Sequence, residues 1–83
     1  MPYEPIVIIA YAGYRGEESP RAFILNGKRI EVRKILAQWV EEDVVSKRTF
    51  RCFKVEGDNL GQHLLRYDET TGEWLYSGGT TDG

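Results

Sequence analysis

Asn26-Gly27 stands between Phe23-Ile24-Leu25 and Lys28-Arg29-Ile30. A type I′ turn needs φ > 0 at both central residues, and Asn-Gly meets that demand at the lowest steric cost, so the pair predicts a tight β-hairpin. A two-residue loop also fixes the register of the strands it joins. Leu25 then faces Lys28, Phe23 faces Ile30 and Arg21 faces Val32. Phe23, Leu25, Ile30 and Val32 share one side, the expected core side, while Ile24, Arg29 and Arg33 share the other.

Further strands follow on both sides of this hairpin. Ile6 to Tyr11 is β-branched and aromatic, and apolar on both faces, which suits a central or doubly covered strand. Thr49 to Glu56 places Phe50 and Cys52 one way and Phe53 and Val55 the other, so it predicts a bulge or burial on both sides. Gly57 to Gly61 reads as a turn and His63 to Tyr67 as the returning strand. Asp68 to Gly72 reads as a second hairpin loop with Gly72 suited to a left-handed position, and Trp74 to Tyr76 closes the sheet.

One stretch supports two readings. Val32, Ile35, Leu36, Trp39 and Val40 recur at helical spacing. No Ser, Thr, Asn or Asp precedes Val32 to cap a helix there, and the same residues fit a bent, bulged strand. The expectation is a mainly-β chain, a small antiparallel meander of five to six strands curled into a partly open barrel, with room for one short helical turn within 33–42. The 83 residues make one domain, placed at 1–76. The segment 77–83, Ser77-Gly-Gly-Thr-Thr-Asp-Gly83, has nothing to bury and is expected to be a disordered tail.

Charge and composition exclude several classes. No apolar run approaches the roughly 20 residues needed to span a bilayer, so no membrane association is expected. The N-terminus lacks signal-peptide features and Cys52 is the sole cysteine, which excludes an internal disulfide; both point to a cytoplasmic location. The net charge of −2, from 11 basic and 13 acidic residues, disfavours strong non-specific nucleic-acid binding. The cations nonetheless form two local clusters, Lys28, Arg29, Arg33, Lys34 and Lys47, Arg48, Arg51, Lys54.

Catalytic chemistry fails on countable grounds. One His and one Cys do not make a zinc site. Cys52 on an aromatic strand reads as a small buried hydrophobe, and His63, at a strand start after a turn, as an exposed or edge imidazole; a Cys52–His63 dyad would need an exposed, low-pKa thiolate. Gly13-Tyr-Arg-Gly16 lacks the lysine and Ser/Thr of a phosphate loop and reads as an ordinary strand connection. The acidic groups Glu17-Glu18, Glu41-Glu42-Asp43 and Asp68-Glu69 read as solvated loops or strand ends, because acid–base work needs a cleft to shift a pKa. No cofactor is expected.

Two stretches together carry a resemblance. One is Tyr11-Ala-Gly-Tyr-Arg-Gly-Glu-Glu-Ser-Pro-Arg-Ala-Phe23. The other runs from Ile30-Glu-Val through Ile35-Leu36 and Trp39, then Phe50-Arg-Cys-Phe-Lys-Val55, to Leu64-Leu-Arg-Tyr-Asp68 and Gly72-Glu-Trp74. The ensemble resembles a family of short bacterial cytoplasmic proteins of unassigned function, over almost the whole chain from Ile6 to Tyr76. It is more weakly similar to a C-terminal β domain of Y-family-polymerase-like mutagenesis proteins. The resemblance implies an all-β fold and so draws 33–42 toward a bent strand. It implies no activity and no catalytic residues, and favours a docking or DNA-associated module by fold analogy alone.

The functional expectation is therefore a non-enzymatic interaction module that binds a protein through a sheet edge or the 13–21 loop. The alternative is a small barrel that binds nucleic acid. Tyr11, Tyr14, Arg15 and Arg21 surround the first loop, and aromatics interleaved with arginines suit base stacking or anchoring of a protein. The candidate binding residues are Tyr14, Arg15, Arg21, Arg29, Arg33, Lys47 and Arg48, on a monomer or weak dimer.

Overall fold

The computed structural model describes residues 4–13 and 19–81. They form seven strands: β1 (Glu4–Pro5), β2 (Val7–Ala12), β3 (Ser19–Leu25), β4 (Lys28–Glu42), β5 (Thr49–Gly57), β6 (Gly61–Asp68) and β7 (Glu73–Thr81). All pairings are antiparallel, in the order β1-β7-β6-β5-β4-β3-β2. The two ends of that order are consecutive in the chain. β1 pairs with β7, β2 pairs with β3, and only Ile6 lies between them. The Ile6 amide donates to the Trp74 carbonyl at 3.1 Å. The sheet thus curls until one continuous segment bridges its two edges, giving a nearly closed barrel. The five to six strands expected become seven, with the short β1 standing ahead of the expected first strand, Ile6 to Tyr11.

The Asn26-Gly27 hairpin forms as the sequence dictates. Both residues have positive φ, 52° and 79°, and Phe23 pairs with Ile30 and Leu25 with Lys28. The ladder ends at Ala22–Glu31, so Arg21 and Val32 do not continue it. Phe23, Ile30 and Val32 join Ile8, Phe53, Val55, Leu65 and Trp74 in one core, with Leu25 packed against it.

No helical turn exists within 33–42, where β4 runs unbroken. Fifteen residues of straight strand would span about 50 Å, whereas the longest dimension of the molecule is 37 Å, so β4 must bend. Register shifts between Val32 and Lys34 and between Ile35 and Ala37 supply the bend. Those extra residues move the apolar positions off a period of two, and so imitate helical spacing.

Two other expectations are overturned. β2 is not a central strand: it ends the strand order, and Val7 and Ile9 are exposed while Ile8 is buried. Residues 77–81 are not a free tail but the second half of β7, paired with Gly61–Leu64. A register shift at Leu64/Leu65, with Gly78 at φ 133°, carries the chain past Ser77. Main-chain hydrogen bonds to β6 need no buried side chain, which is why composition alone misses this strand. Asp82 and Gly83 lie outside the described residues.

Candidate functional site

β4 serves two ladders with its two halves. Lys28–Glu31 pairs with β3 on one side, and Val32–Glu42 pairs with β5 on the other. β3 pairs with β4 only over Ala22–Leu25, while on its other side it pairs with β2 from Ser19 to Ile24. Among the described residues, nothing pairs with the β3-side edge of β4 over 32–42. Leu36 and Trp39 are exposed on this stretch and Val40 is 65% exposed. The turn that follows adds Val44 and Val45, 84% and 93% exposed.

That turn is not loosely built. Asp43 Oδ1 accepts the Val45 amide at 2.9 Å and the Ser46 amide at 3.4 Å. The Lys47 amide donates to the Asp43 carbonyl and the Asp43 amide to that of Arg48, with Lys47 at φ 61°. The Val45 and Ser46 amides hold the Asp43 carboxyl below its ordinary range. A rigid turn therefore presents two valines to solvent.

The outer face beside the edge carries a small second cluster. Trp39 pairs with Cys52, and Cys52 with Arg66 on the other side. The Trp39 indole donates to Glu41 Oε2 at 2.7 Å, and Arg66 Nη1 meets Glu41 Oε1 at 3.1 Å. The Arg66 guanidinium lies 4.3 Å above the Phe50 ring. Cys52 is buried in this cluster, and burial holds its thiol above the ordinary range despite the nearby Arg66. It is an inert hydrophobe, as its strand context suggests. A shallow groove of about 550 Å³ continues from Trp39 along Lys54, Leu64, Ser77 and Gly78.

His63 is not exposed. It faces the interior next to Val55 in register, on the opposite side of the sheet from Cys52, which rules out a dyad between them. Asn59 Oδ1 accepts the Gly61 amide at 3.1 Å, so the imidazole Nε2, 3.2 Å away, is the donor to it. Nδ1 is then the acceptor for the Tyr76 hydroxyl at 2.9 Å. Burial pushes the His63 pKa down and the Tyr76 pKa up. Gly57 and Gly79 leave room for this pair. A Cβ at Gly79 would lie 2.7 Å from the Gln62 carbonyl and 2.9 Å from His63 Nδ1. The group is fully used in packing.

The cations expected to bind are spread out. Tyr14 and Arg15 lie outside the described residues, as does most of Gly13-Tyr-Arg-Gly16. Arg21 is exposed on β3. Arg29, at the start of β4, pairs with Glu31, and Arg33 follows at the bend. Lys47 and Arg48 sit beyond the far end of β4, and Arg48 meets the buried Asp68 at 3.3 Å. The first basic cluster lies on β4 from Lys28 to Lys34. Of the second, Lys47 and Arg48 lie in the turn beyond β4, while Arg51 and Lys54 lie on β5, in register with Val40 and Ala37, and Glu56 stands opposite Lys34 between the two groups.

Asp68 is no solvated loop residue. Its Oδ1 accepts the amides of Thr70 and Thr71, and its carbonyl accepts that of Gly72, which takes the left-handed φ of 76° expected of it.

Among the described residues no group of three or more His, Cys, Asp or Glu is placed to hold a metal ion, and no helix is long and apolar enough to cross a membrane. Comparison with protein families, curated proteins and solved structures gives no match. The site is therefore defined by its own geometry: a strand edge unpaired among the described residues, with Leu36, Trp39 and Val40 on it and Val44-Val45 beyond. Sequence reasoning passed over these residues. The signal was there in the valine pair, two β-branched apolar residues inside an Asp43–Arg48 turn where no core could take them.

Proposed function

We propose that the protein is a non-enzymatic interaction module that docks a protein along the 32–42 edge of β4. The observation that carries this reading is the coincidence, on one strand, of unpaired backbone and exposed apolar side chains. An open edge offers a row of amides and carbonyls to an added strand. Natural edges usually carry a lysine, a proline or inward-pointing charge to prevent such pairing. On this edge the charges, Arg33 and Lys34 at one end and Glu41 and Glu42 at the other, leave Ile35 to Val40 between them without charge or proline. Exposed apolar side chains grouped in this way mark interaction sites more often than they mark chance.

Photocrosslinking tests the proposal. A benzophenone amino acid is placed at Val40 and, as a control, at exposed Glu69 in the β6–β7 turn. Irradiation of cells making the protein is expected to give discrete adducts from the first position and not from the second. Equal labelling from both, or none from Val40, overturns the docking edge.

A further inference from the structure

We infer that the strand added to this edge comes from a second copy of the same chain, paired antiparallel with the first. The inference rests on the docking edge just proposed and names its occupant.

Charge is segregated along the free half of β4. Arg33 and Lys34 stand at its start and Glu41 and Glu42 at its end, all exposed, with no charge between them. A two-fold axis reverses the direction of the partner strand, so each cationic start meets an acidic end. Parallel addition of the same strand would set like charges side by side, which is unfavourable. An axis near Gln38 brings Lys34 near Glu42 of the other copy and exposed Leu36 near its exposed Val40. The apolar pairs lie at the centre and the charged pairs at the rim, which is the usual distribution in a protein interface.

The same axis accounts for the turn. It carries Val44 and Val45 of each copy to the Val32 end of the other. That is the end where the Asp58 amide bonds the Glu31 carbonyl and where the exposed Leu60 sits in the adjoining turn. Both tips gain apolar neighbours at once because the contact is isologous. One strand edge and two turns make a small interface, so the dimer forms with modest affinity.

Light scattering and sedimentation on the intact chain test the inference. The wild-type mass is expected to rise from 9.5 kDa toward twice that value between low and high micromolar concentration, with weaker association at high salt. Val40→Lys and Lys34→Glu should each keep the chain monomeric, with an unchanged circular-dichroism spectrum showing that it is folded. The double reversal Lys34→Glu/Glu42→Lys should restore the dimer, since each copy then presents both exchanged charges. A wild-type chain that stays monomeric overturns the inference. So does a dimer indifferent to Val40→Lys and Lys34→Glu, or a double reversal without rescue. If the monomeric chain still crosslinks from Val40 to a protein of another mass, only the identity of the occupant fails. If Val40 yields no adduct, the docking edge fails with it.

Discussion

At the scale of single residues, His63 shows how little a residue type says without its partners. The sequence offers one imidazole after a turn, and the default for such a residue is exposure. In the fold it is buried between Phe23, 5.3 Å away edge-on, and Tyr76, with Asn59 closing the third side. Desolvation lowers its folded pKa, so the unfolded chain binds the proton more readily. The neutral ring's contribution to stability is full above the unfolded value of about 6.5 and is lost as pH falls below it toward the folded pKa. The His63 Cε1–H resonance is expected to titrate with a midpoint below about 6.5, and the urea midpoint of the protein to fall as pH is lowered through that region. A histidine midpoint at or above the free value would contradict the buried, neutral assignment.

At the scale of elements, the turns carry much of the specification. Asp68 ties the β6–β7 loop through two amides and reaches Arg48 in the neighbouring β4–β5 turn. Asp68→Ala removes the acceptor of the Thr70 and Thr71 amides and the partner of Arg48, and is expected to cost about 1–2 kcal/mol in urea unfolding. Asp68→Asn keeps a carbonyl oxygen for them and loses mainly the pair with half-exposed Arg48, so it should cost about 1 kcal/mol or less. Equal losses would mean that the ion pair, not the turn, is what matters.

The same scale separates what was legible from what was not. Asn26-Gly27 and Gly72 were readable because a positive φ is a local demand that residue chemistry answers directly. The opposed faces of Phe50/Cys52 and Phe53/Val55 were readable because pleating is strict, and both sides are in fact covered. For 33–42 the bent, bulged strand is the reading that holds and the short helical turn is not; apolar spacing alone could not separate them, because bulges alter that spacing and a bulge is fixed by a partner strand rather than by the strand's own residues. The second half of β7 was missed for a related reason, since its stability lies in main-chain pairing with β6. A sheet edge was expected, but which edge was not readable, because the stretch of β4 that goes unpaired depends on where the ladder to β3 stops, at Ala22–Glu31, and that is a property of the sheet rather than of the strand's own residues.

At the scale of the whole molecule, charge placement decides between partners. The net charge is −2, and the basic residues are spread over β4, the turn after it and β5, with Glu31 on β4 and Glu56 opposite Lys34 interrupting them. Several of those cations already have partners: Arg29 with Glu31, and Arg48 with Asp68. A groove that tracks a nucleic-acid backbone needs a continuous positive stripe. Fluorescence anisotropy with single-stranded oligonucleotides is therefore expected to show no association even at low salt. Binding that strengthens steeply as salt falls would count against the protein-docking proposal and for a nucleic-acid surface.

The bridge at Ile6 bears on the order in which the chain can become a protein. Glu4 pairs with Tyr76, so the seam joins positions separated by nearly the whole sequence. Local hairpins form quickly, whereas contacts this distant along the chain wait for everything between them. During synthesis, the opening residues cannot take their place until β7 has left the ribosome. Until then the seam at Ile6 stays open, with Glu4 and Pro5 unpaired and β2 held by β3 alone. A nascent chain would keep that seam open until β7 emerges, and this interval is when chaperone capture or mispairing between neighbouring chains is most to be expected.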